Sequence, residues 1–427
     1  MSFWDELQWR GLIHDSTDGI EGLLKTSPVT GYLGFDPSAP SLHIGNLVQI
    51  MLLVHFQRAG HKPIALVGGA TGMIGDPSGK SEERKLLSEE TIRDYEVKIK
   101  TQLSKFLDFN ADNNTNAALI TNNYDWYKTI NLLEFLREAG KHLTVNYMMA
   151  KDSVKNRLET GISFTEFSYQ LLQGYDYYEL NRRYGCTLQM GGSDQWGNIT
   201  SGIELIRRKS GKESYAITTP LITKADGKKF GKTEEGNVWL DGSLTSPYKF
   251  YQFWVNTADV DAAKYIRIFT LLGKEQIDEL EARHAQAPHL RELQKALAKD
   301  ITVRVHSEDD YNFAVKASEI LFGNSALETL KSLSNEQFEM VFEGVPRIFI
   351  NKTELENGIN VLELLADKTK FFPSRGEVKR TIQGKGLSIN SKLVETTELS
   401  VTTEFLLNNR YLLLQKGKKN YFLVVAE

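Results

Sequence analysis

Along the chain, short apolar runs take turns with longer stretches in which apolar residues recur every three or four positions, and this alternation predicts strands interleaved with helices. Residues 31–35 are short and apolar enough for a buried strand; Pro37 and Pro40 bound a turn after it, and a helix follows over about 42–59. A second strand is expected at 63–67, running into a glycine-rich loop at 68–79. Beyond it, 81–107 is charged and helical in pattern, 117–121 suits a third strand, and 132–139 suits a helix. A longer helix over 165–184 precedes a strand at 187–190. Such alternation implies an α/β fold with a parallel sheet covered on both faces, whose ligands sit at the C-terminal strand ends.

From residue 246 the pattern changes to helices rich in Leu, Ala, Glu and Lys, through about 322, with breaks near Thr257, Gly273 and Pro288. This reads as a separate helical domain. A mixed stretch, 323–357, links it to a last module of short strands and helices over 358–427. The total of 427 residues suits two or three domains, and no internal repeat or low-complexity segment interrupts them.

Composition narrows the class without changing the fold. With 41% hydrophobic and 25% charged residues the chain must bury a core, which excludes fibrous and largely disordered classes. Its single cysteine, Cys186, excludes an internal disulfide, and no Cys/His cluster has zinc-site spacing, so a reducing compartment and no protein-held metal are expected. Trp4, Asp5, Glu6, Trp9 and Arg10 stand where a signal peptide needs unbroken apolar sequence, and no run of about 18 apolar residues occurs. A cytoplasmic protein without a membrane segment is the expectation. Net charge is −4, yet residues 359–427 hold 11 Lys or Arg against 7 Asp or Glu. That end therefore carries +4 and the rest −8, and the basic end suits a nucleic-acid partner.

Candidate chemistry gathers where strands end. Gly34, Asp36 and Ser38 lead into Leu42-His43-Ile44-Gly45-Asn46 at a helix start, where free N–H groups and the positive dipole end attract anions and Gly45 permits close approach. A lone histidine there is more often an ordinary helix-start residue. The second loop carries Asp76, Lys80 and Arg84, but Ile74 stands where a P-loop needs glycine, and the chain has no GxGxxG. Tyr169, Gln173 and Asp176 fall at i, i+4 and i+7, a polar stripe on one helix face; such a stripe usually faces water, although its apolar neighbours allow a pocket. Gly192, Asp194 and Gln195 follow the strand at 187–190. Lys224, Lys228, Lys229 and Lys232 crowd one loop with Gly227 and Gly231; it is either solvated surface or a flexible set of ammonium groups for a leaving pyrophosphate.

Taken together, these segments resemble the class I aminoacyl-tRNA synthetases and, closely, their bacterial tyrosyl family, over essentially the whole chain. His43 to Asn46 is similar to the HIGH signature and Lys229 to Thr233 to the KMSKS loop. The resemblance implies a Rossmann-like catalytic domain over 1–245, a helical anticodon-side domain over 246–322, a linker over 323–357 and a small α+β RNA-binding module over 358–427. It implies activation of L-tyrosine with ATP to tyrosyl-adenylate and pyrophosphate, then transfer to the 3′ end of tRNA(Tyr), with Mg2+ accompanying ATP and a homodimeric assembly. Position by position, Tyr32 and Asp176 would bond the substrate phenol, and Asp76, Tyr169 and Gln173 its ammonium. Asp36, Gly192 and Asp194 would face the ribose, and Gln195 the reacting carboxylate. Ser38, His43, Lys80, Arg84, Lys229, Lys232 and Thr233 would contact phosphates, with Gly34, Gly45 and Asn46 alongside. Arg375, Lys379, Arg380 and Lys385 would meet RNA, and Arg207 and Arg208 the acceptor arm. Leu33 and Gln49 depart from the family pattern beside the nucleotide. Three alternatives stand beside this reading. A tryptophanyl enzyme has a related sheet; a non-catalytic RNA-binding or splicing protein could reuse the scaffold; a dinucleotide-dependent oxidoreductase lacks its glycine fingerprint here.

Overall fold

Six strands form the central sheet in the computed structural model. They are β1 (Asp15–Ser16), β2 (Thr30–Phe35), β3 (Lys62–Val67), β4 (Leu119–Asn122), β5 (Leu188–Gly192) and β6 (Tyr215–Thr219), in the order β1-β6-β5-β2-β3-β4. All neighbours run parallel except β1, which is antiparallel to β6. The structure describes residues 2–427 apart from 79–86, 113, 156, 158–160, 228–229, 234–235, 323–329, 344 and 418–419. Two compact units result, one of residues 1–245 with 253–306, the other of 246–252 with 307–427.

In the first unit, β3 after Lys62 and β5 apart from Gln189 are apolar or glycine runs, as suits a sheet with helices on both faces. The helix Ile44–Arg58 buries Leu47, Ile50, Met51, Leu53, Val54 and Phe56, so it has no polar face to give it a stripe and lies in the core. Phe164–Tyr184 and Trp196–Ser210 pack at two glycines: a Cβ on Gly202 would lie 2.9 Å from the Tyr177 ring, and one on Gly174 3.4 Å from the Gly202 amide. The strands expected at 31–35, 63–67, 117–121 and 187–190 all enter the sheet. Two-residue β1 and the polar-ended β6 were not anticipated, since neither shows an apolar run. The helix expected over 81–107 occupies Glu89–Leu103 among the described residues.

The composition break at 245 does not mark the edge of this unit. Helices follow it at Asp259–Phe269, Lys274–Gln286 and Glu292–Val305, separated at Thr257, Gly273 and Pro288 as expected. Two arginines hold the first of them: buried Arg10, near the N-terminus, donates from Nη1 to Thr270 O at 3.0 Å, and Arg304 of the third helix donates from Nη1 to Phe269 O at 3.0 Å. These bonds occupy carbonyls left over at a helix C-terminus. A short hairpin of β7 (Lys232–Thr233) and β8 (Gly236–Asn237) precedes them.

The second unit holds β9 (Arg347–Ile350), β10 (Ile359–Asn360), β11 (Leu387–Ile389), β12 (Lys392–Leu393), β13 (Ser400–Val401), β14 (Tyr411–Lys416) and β15 (Asn420–Ala426). Five of them form a sheet in the order β12-β11-β14-β15-β9 over a core that includes Leu355, Leu364, Phe372, Val378, Leu412 and Val424. The pairing of β9 with β15, parallel from Arg347↔Leu423 to Ile350↔Ala426, puts part of the expected linker inside the sheet. The module therefore begins before 358. Among the described residues no helix is long and apolar enough to cross a membrane.

Candidate active site

Strands β2 and β5 lie side by side, but the chain winds away from them in opposite directions, through β3 and β4 on one side and β6 on the other. The C-terminal ends of two such strands diverge and leave a crevice. A cavity of about 310 Å³ occupies it, lined by both strand ends, the start of the helix Ile44–Arg58, the loop after β3 and the stripe on Phe164–Tyr184. Tyr32, Gly34, Asp36, Ser38, Gly45, Asn46, Asp76, Tyr169, Gln173, Asp176, Gly192, Asp194 and Gln195 all line it. The polar stripe thus faces a pocket rather than water.

Asp176 and Tyr32 are almost completely buried in its wall, at 2% and 1% exposure. Asp176 accepts from Asn123 Nδ2 at 3.0 Å and from Trp126 Nε1 at 2.9 Å. Burial pushes its carboxyl up to about 7, while those two donors pull in the opposite direction. Among the described residues the Tyr32 hydroxyl has no hydrogen-bond partner. Burial, and then the charge of Asp176, push that phenol well above its ordinary range. A buried hydroxyl left unpaired costs about 1–3 kcal/mol, which a ligand's own hydroxyl would recover.

Above them a network fixes the acidic side chains. Asn123 Nδ2 also donates to Thr71 Oγ1 at 2.9 Å, Thr71 Oγ1 donates to Asp36 Oδ1 at 2.7 Å, and Tyr169 OH donates to Asp36 Oδ2 at 2.7 Å. A Cβ on Gly68 would lie 2.0 Å from Asp36 Oδ1, so only glycine admits this carboxylate. Asp76 accepts from Gln195 Nε2 at 2.7 Å and from the Ser78 amide at 2.9 Å, and Asn198 Nδ2 donates to Gln173 Oε1 at 3.0 Å. Four carboxylates, those of Asp36, Asp76, Asp176 and Asp194, around one small cavity favour a cation inside it.

At the mouth, His43 caps its helix. Its Nδ1 accepts from the Gly45 amide at 3.0 Å, while its own amide donates to Asn46 Oδ1 at 3.0 Å. This reciprocal cap explains the spacing of His43 and Asn46 and leaves the helix dipole directed at the pocket. The His43 ring is not among the lining groups and lies 6.0 Å from the Trp239 ring.

Other expected site residues are not gathered here. Lys80, Arg84 and Lys229 fall outside the described residues, and Lys232 and Thr233 are described only as the backbone of β7. Arg207 and Arg208 lie at the end of Trp196–Ser210 remote from Gln195, both paired with Glu204, whose carboxyl they hold down to about 2. Arg375, Lys379, Arg380 and Lys385 are exposed in the second unit, where Val378 and Ile382 turn the other face of Arg375–Gln383 into the core. Sequence reasoning missed Thr71, Asn123, Trp126 and Asn198. The one available signal was the polar pair Asn122-Asn123 at the C-terminal end of β4, where ligand-side groups collect. Leu33 and Gln49 also line the cavity, and Gln49 Nε2 donates to Thr219 Oγ1 at 3.1 Å.

A family model described as class I tRNA synthetases (W and Y) matches residues 24–323, and one for the C-terminal domain of SYY-like tyrosine–tRNA ligases matches 337–424. The chain is 62% identical over 425 residues to a tyrosine–tRNA ligase of Cytophaga hutchinsonii, covering 99% of each. To the tyrosine–tRNA ligase of Bacteroides fragilis it is 58% identical over 431 residues, covering 100% of each. The crystal structure of a C-terminally truncated mitochondrial tyrosyl-tRNA synthetase from Aspergillus nidulans is similar at TM-score 0.65 and 31% identity, covering 73% of this chain and 92% of that one.

Proposed function

We propose how this pocket works from the premise that the chain belongs to the class I tRNA synthetases of the tryptophan and tyrosine group and is an ATP-dependent tyrosine–tRNA ligase. The observation that carries the proposal is the orphaned Tyr32 hydroxyl beside buried Asp176. A tyrosine side chain entering the cavity donates its phenol proton to Asp176 and accepts from Tyr32. Phenylalanine leaves the Tyr32 hydroxyl unpaired and brings Asp176 no donor, and tryptophan offers only a donor, so the pocket favours tyrosine over both. Asp76, Tyr169 and Gln173 hold the ammonium.

Nucleotide binding falls to the other side of the crevice. Asp36, Gly192 and Asp194 face the ribose, with Gly34 alongside, and Gln195 orients the substrate carboxylate. That carboxylate is already ionised at neutral pH, so it attacks the α-phosphate of ATP in line without a general base, giving tyrosyl-adenylate and pyrophosphate. Ser38, His43, Gly45, Asn46, Lys80, Arg84, Lys229, Lys232 and Thr233 stabilise charge on the departing phosphates. Magnesium arrives on the ATP phosphates as part of the substrate. Tyrosine then passes to the 3′ end of tRNA(Tyr) in the cytoplasm. Arg375, Lys379, Arg380 and Lys385 contact phosphates of the RNA, and Arg207 and Arg208 its acceptor arm.

A homodimer is part of this reading. Leu132, Leu133, Leu136, Val145, Met149 and Phe164 are large, apolar and exposed. They lie on three helices or helix ends whose other faces share one small core around Leu143, Met148 and Leu171. A surface of this kind calls for a partner, and a second copy supplies it; sedimentation as a monomer would refute that assembly. For the pocket itself, Tyr32→Phe is expected to reduce the tyrosine-over-phenylalanine preference in kcat/KM about tenfold, the value of one neutral hydrogen bond. An unchanged preference overturns the assignment.

A further inference from the structure

Phe230 stands in the middle of the lysine-rich loop, between Lys229 and Lys232, where a solvated charge run has no use for an aromatic ring. Its ring is seated among four others. It stacks on Phe269 with centroids 5.2 Å apart and planes at 15°, meets Tyr265 edge-on at 4.9 Å, and lies 6.0 Å from both Phe253 and Trp254. Trp254, Tyr265 and Phe269 are buried to 1% exposure or less, so the seat is part of the core.

The next residue is fixed from the opposite side. Gly231 has φ +83°, and a Cβ there would lie 3.2 Å from Ile44 Cγ1 and 3.5 Å from the Gly45 amide nitrogen. Its backbone therefore rests on the first turn of the His43-capped helix. The Val238 amide donates to Gly231 O at 3.1 Å, and the Ile44 amide donates to Val238 O at 3.0 Å. Between these bonds the chain makes the β7–β8 hairpin, with Lys232 opposite Asn237. The root of the loop is thus held by its backbone to the phosphate-side helix and by one side chain in an aromatic seat.

We propose that Phe230 is a positioning residue for activation: its ring, locked among Phe253, Trp254, Tyr265 and Phe269, fixes the root of the hairpin against the His43-capped helix, so that the lysines beside it meet the phosphates from a set origin. The proposal rests on the reading of Lys229 and Lys232 as phosphate contacts. A ring that merely fills the core would affect stability alone. A positioning ring acts on the transition state, where phosphate charge is developing, and leaves the tyrosine subsite unaffected.

The test is tyrosine-dependent exchange of pyrophosphate into ATP by the full chain. Phe230→Ala is expected to lower kcat at least tenfold with tyrosine KM within twofold of native, and Phe230→Met, which refills the seat, to restore kcat to within threefold. Combined with Lys232→Ala, Phe230→Ala should add less than a further twofold, because the two act through one contact. Should Phe230→Ala fail to fold, Phe230→Leu takes its place in the same cycle, with a smaller loss and the same non-additivity. A kcat loss that multiplies in full onto that of Lys232→Ala, or a tyrosine KM that rises with it, overturns the anchor alone. Native exchange by Lys232→Ala overturns the lysine reading and the anchor with it.

Discussion

Asp176 is the residue on which specificity and stability pull in different directions. Burial disfavours the charge and pushes its carboxyl up to about 7 in the free protein, and in the proposed mechanism the ionised form is the stronger acceptor for the substrate phenol. Tyrosine KM should therefore rise as pH falls below about 7, by at most about tenfold per unit, and be flat above it. Folding has the opposite sign. The folded carboxyl holds its proton more tightly than the unfolded chain does, so its contribution to stability is complete below the ordinary carboxylate range and is lost as pH rises through about 7. Trp126→Phe removes one of the donors to this carboxylate. A hydrogen bond to a charged group is worth about 1.5–3 kcal/mol, so the inflection in tyrosine KM should move up by about 1–2 pH units. A KM profile without an inflection between pH 6 and 9 in either protein would contradict this role. The stripe that carries Asp176 was legible from its helical spacing alone, but its donors were not: Asn123 and Trp126 come from a strand end and a short helix some 50 residues away, and only the fold brings them in.

Among the elements, the helix Ile44–Arg58 does two tasks with one residue. His43 supplies the cap through Nδ1 and, in the proposed mechanism, an imidazole on the phosphate side. The tasks separate in His43→Asn, because asparagine is a good N-cap but has no imidazole. The melting temperature should stay within a few degrees of native while exchange activity falls about tenfold to a hundredfold; a matched loss of both would mean that the cap was its whole contribution. The helix start could be anticipated from Pro40 and the apolar run after it. The reciprocal bond of Asn46 to the His43 amide could not, since three-residue spacing fits a shared face equally well. Strand β6 escaped notice for a related reason: Tyr-Ala-Ile-Thr-Thr reads as half polar, and its burial comes from β1 and β5 on either side rather than from its own composition. Cβ contacts also show why glycine stands where it does at Gly68 and Gly231, which spacing alone left as generic loop glycines.

At the scale of the whole molecule, basic charge and helical composition marked the C-terminal half as different without showing which contacts join its elements. Arg10 ties the helix Asp259–Phe269 to the N-terminal helix, and Arg304 ties it to Glu292–Val305, through carbonyls that no periodicity could reveal, and β9 joins the last sheet from within the expected linker. The consequence is testable by truncation. Ending the chain before residue 307 removes the C-terminal stretch of the second unit at the unit boundary, and is expected to leave tyrosine-dependent exchange within threefold of native while tRNA charging is lost. Ending it before 358 leaves β9 without β15, and the unpaired edge should make that shorter cut the more aggregation-prone of the two. Charging by either form at the native rate would refute an RNA role for the module. Both experiments presuppose the central claim, that the crevice between β2 and β5 activates tyrosine. Its most direct test is the exchange of pyrophosphate into ATP by the full chain, with each amino acid supplied in turn: the account predicts exchange with tyrosine and none above background with tryptophan or phenylalanine, and exchange that is driven by tryptophan, or is absent with tyrosine, would contradict it.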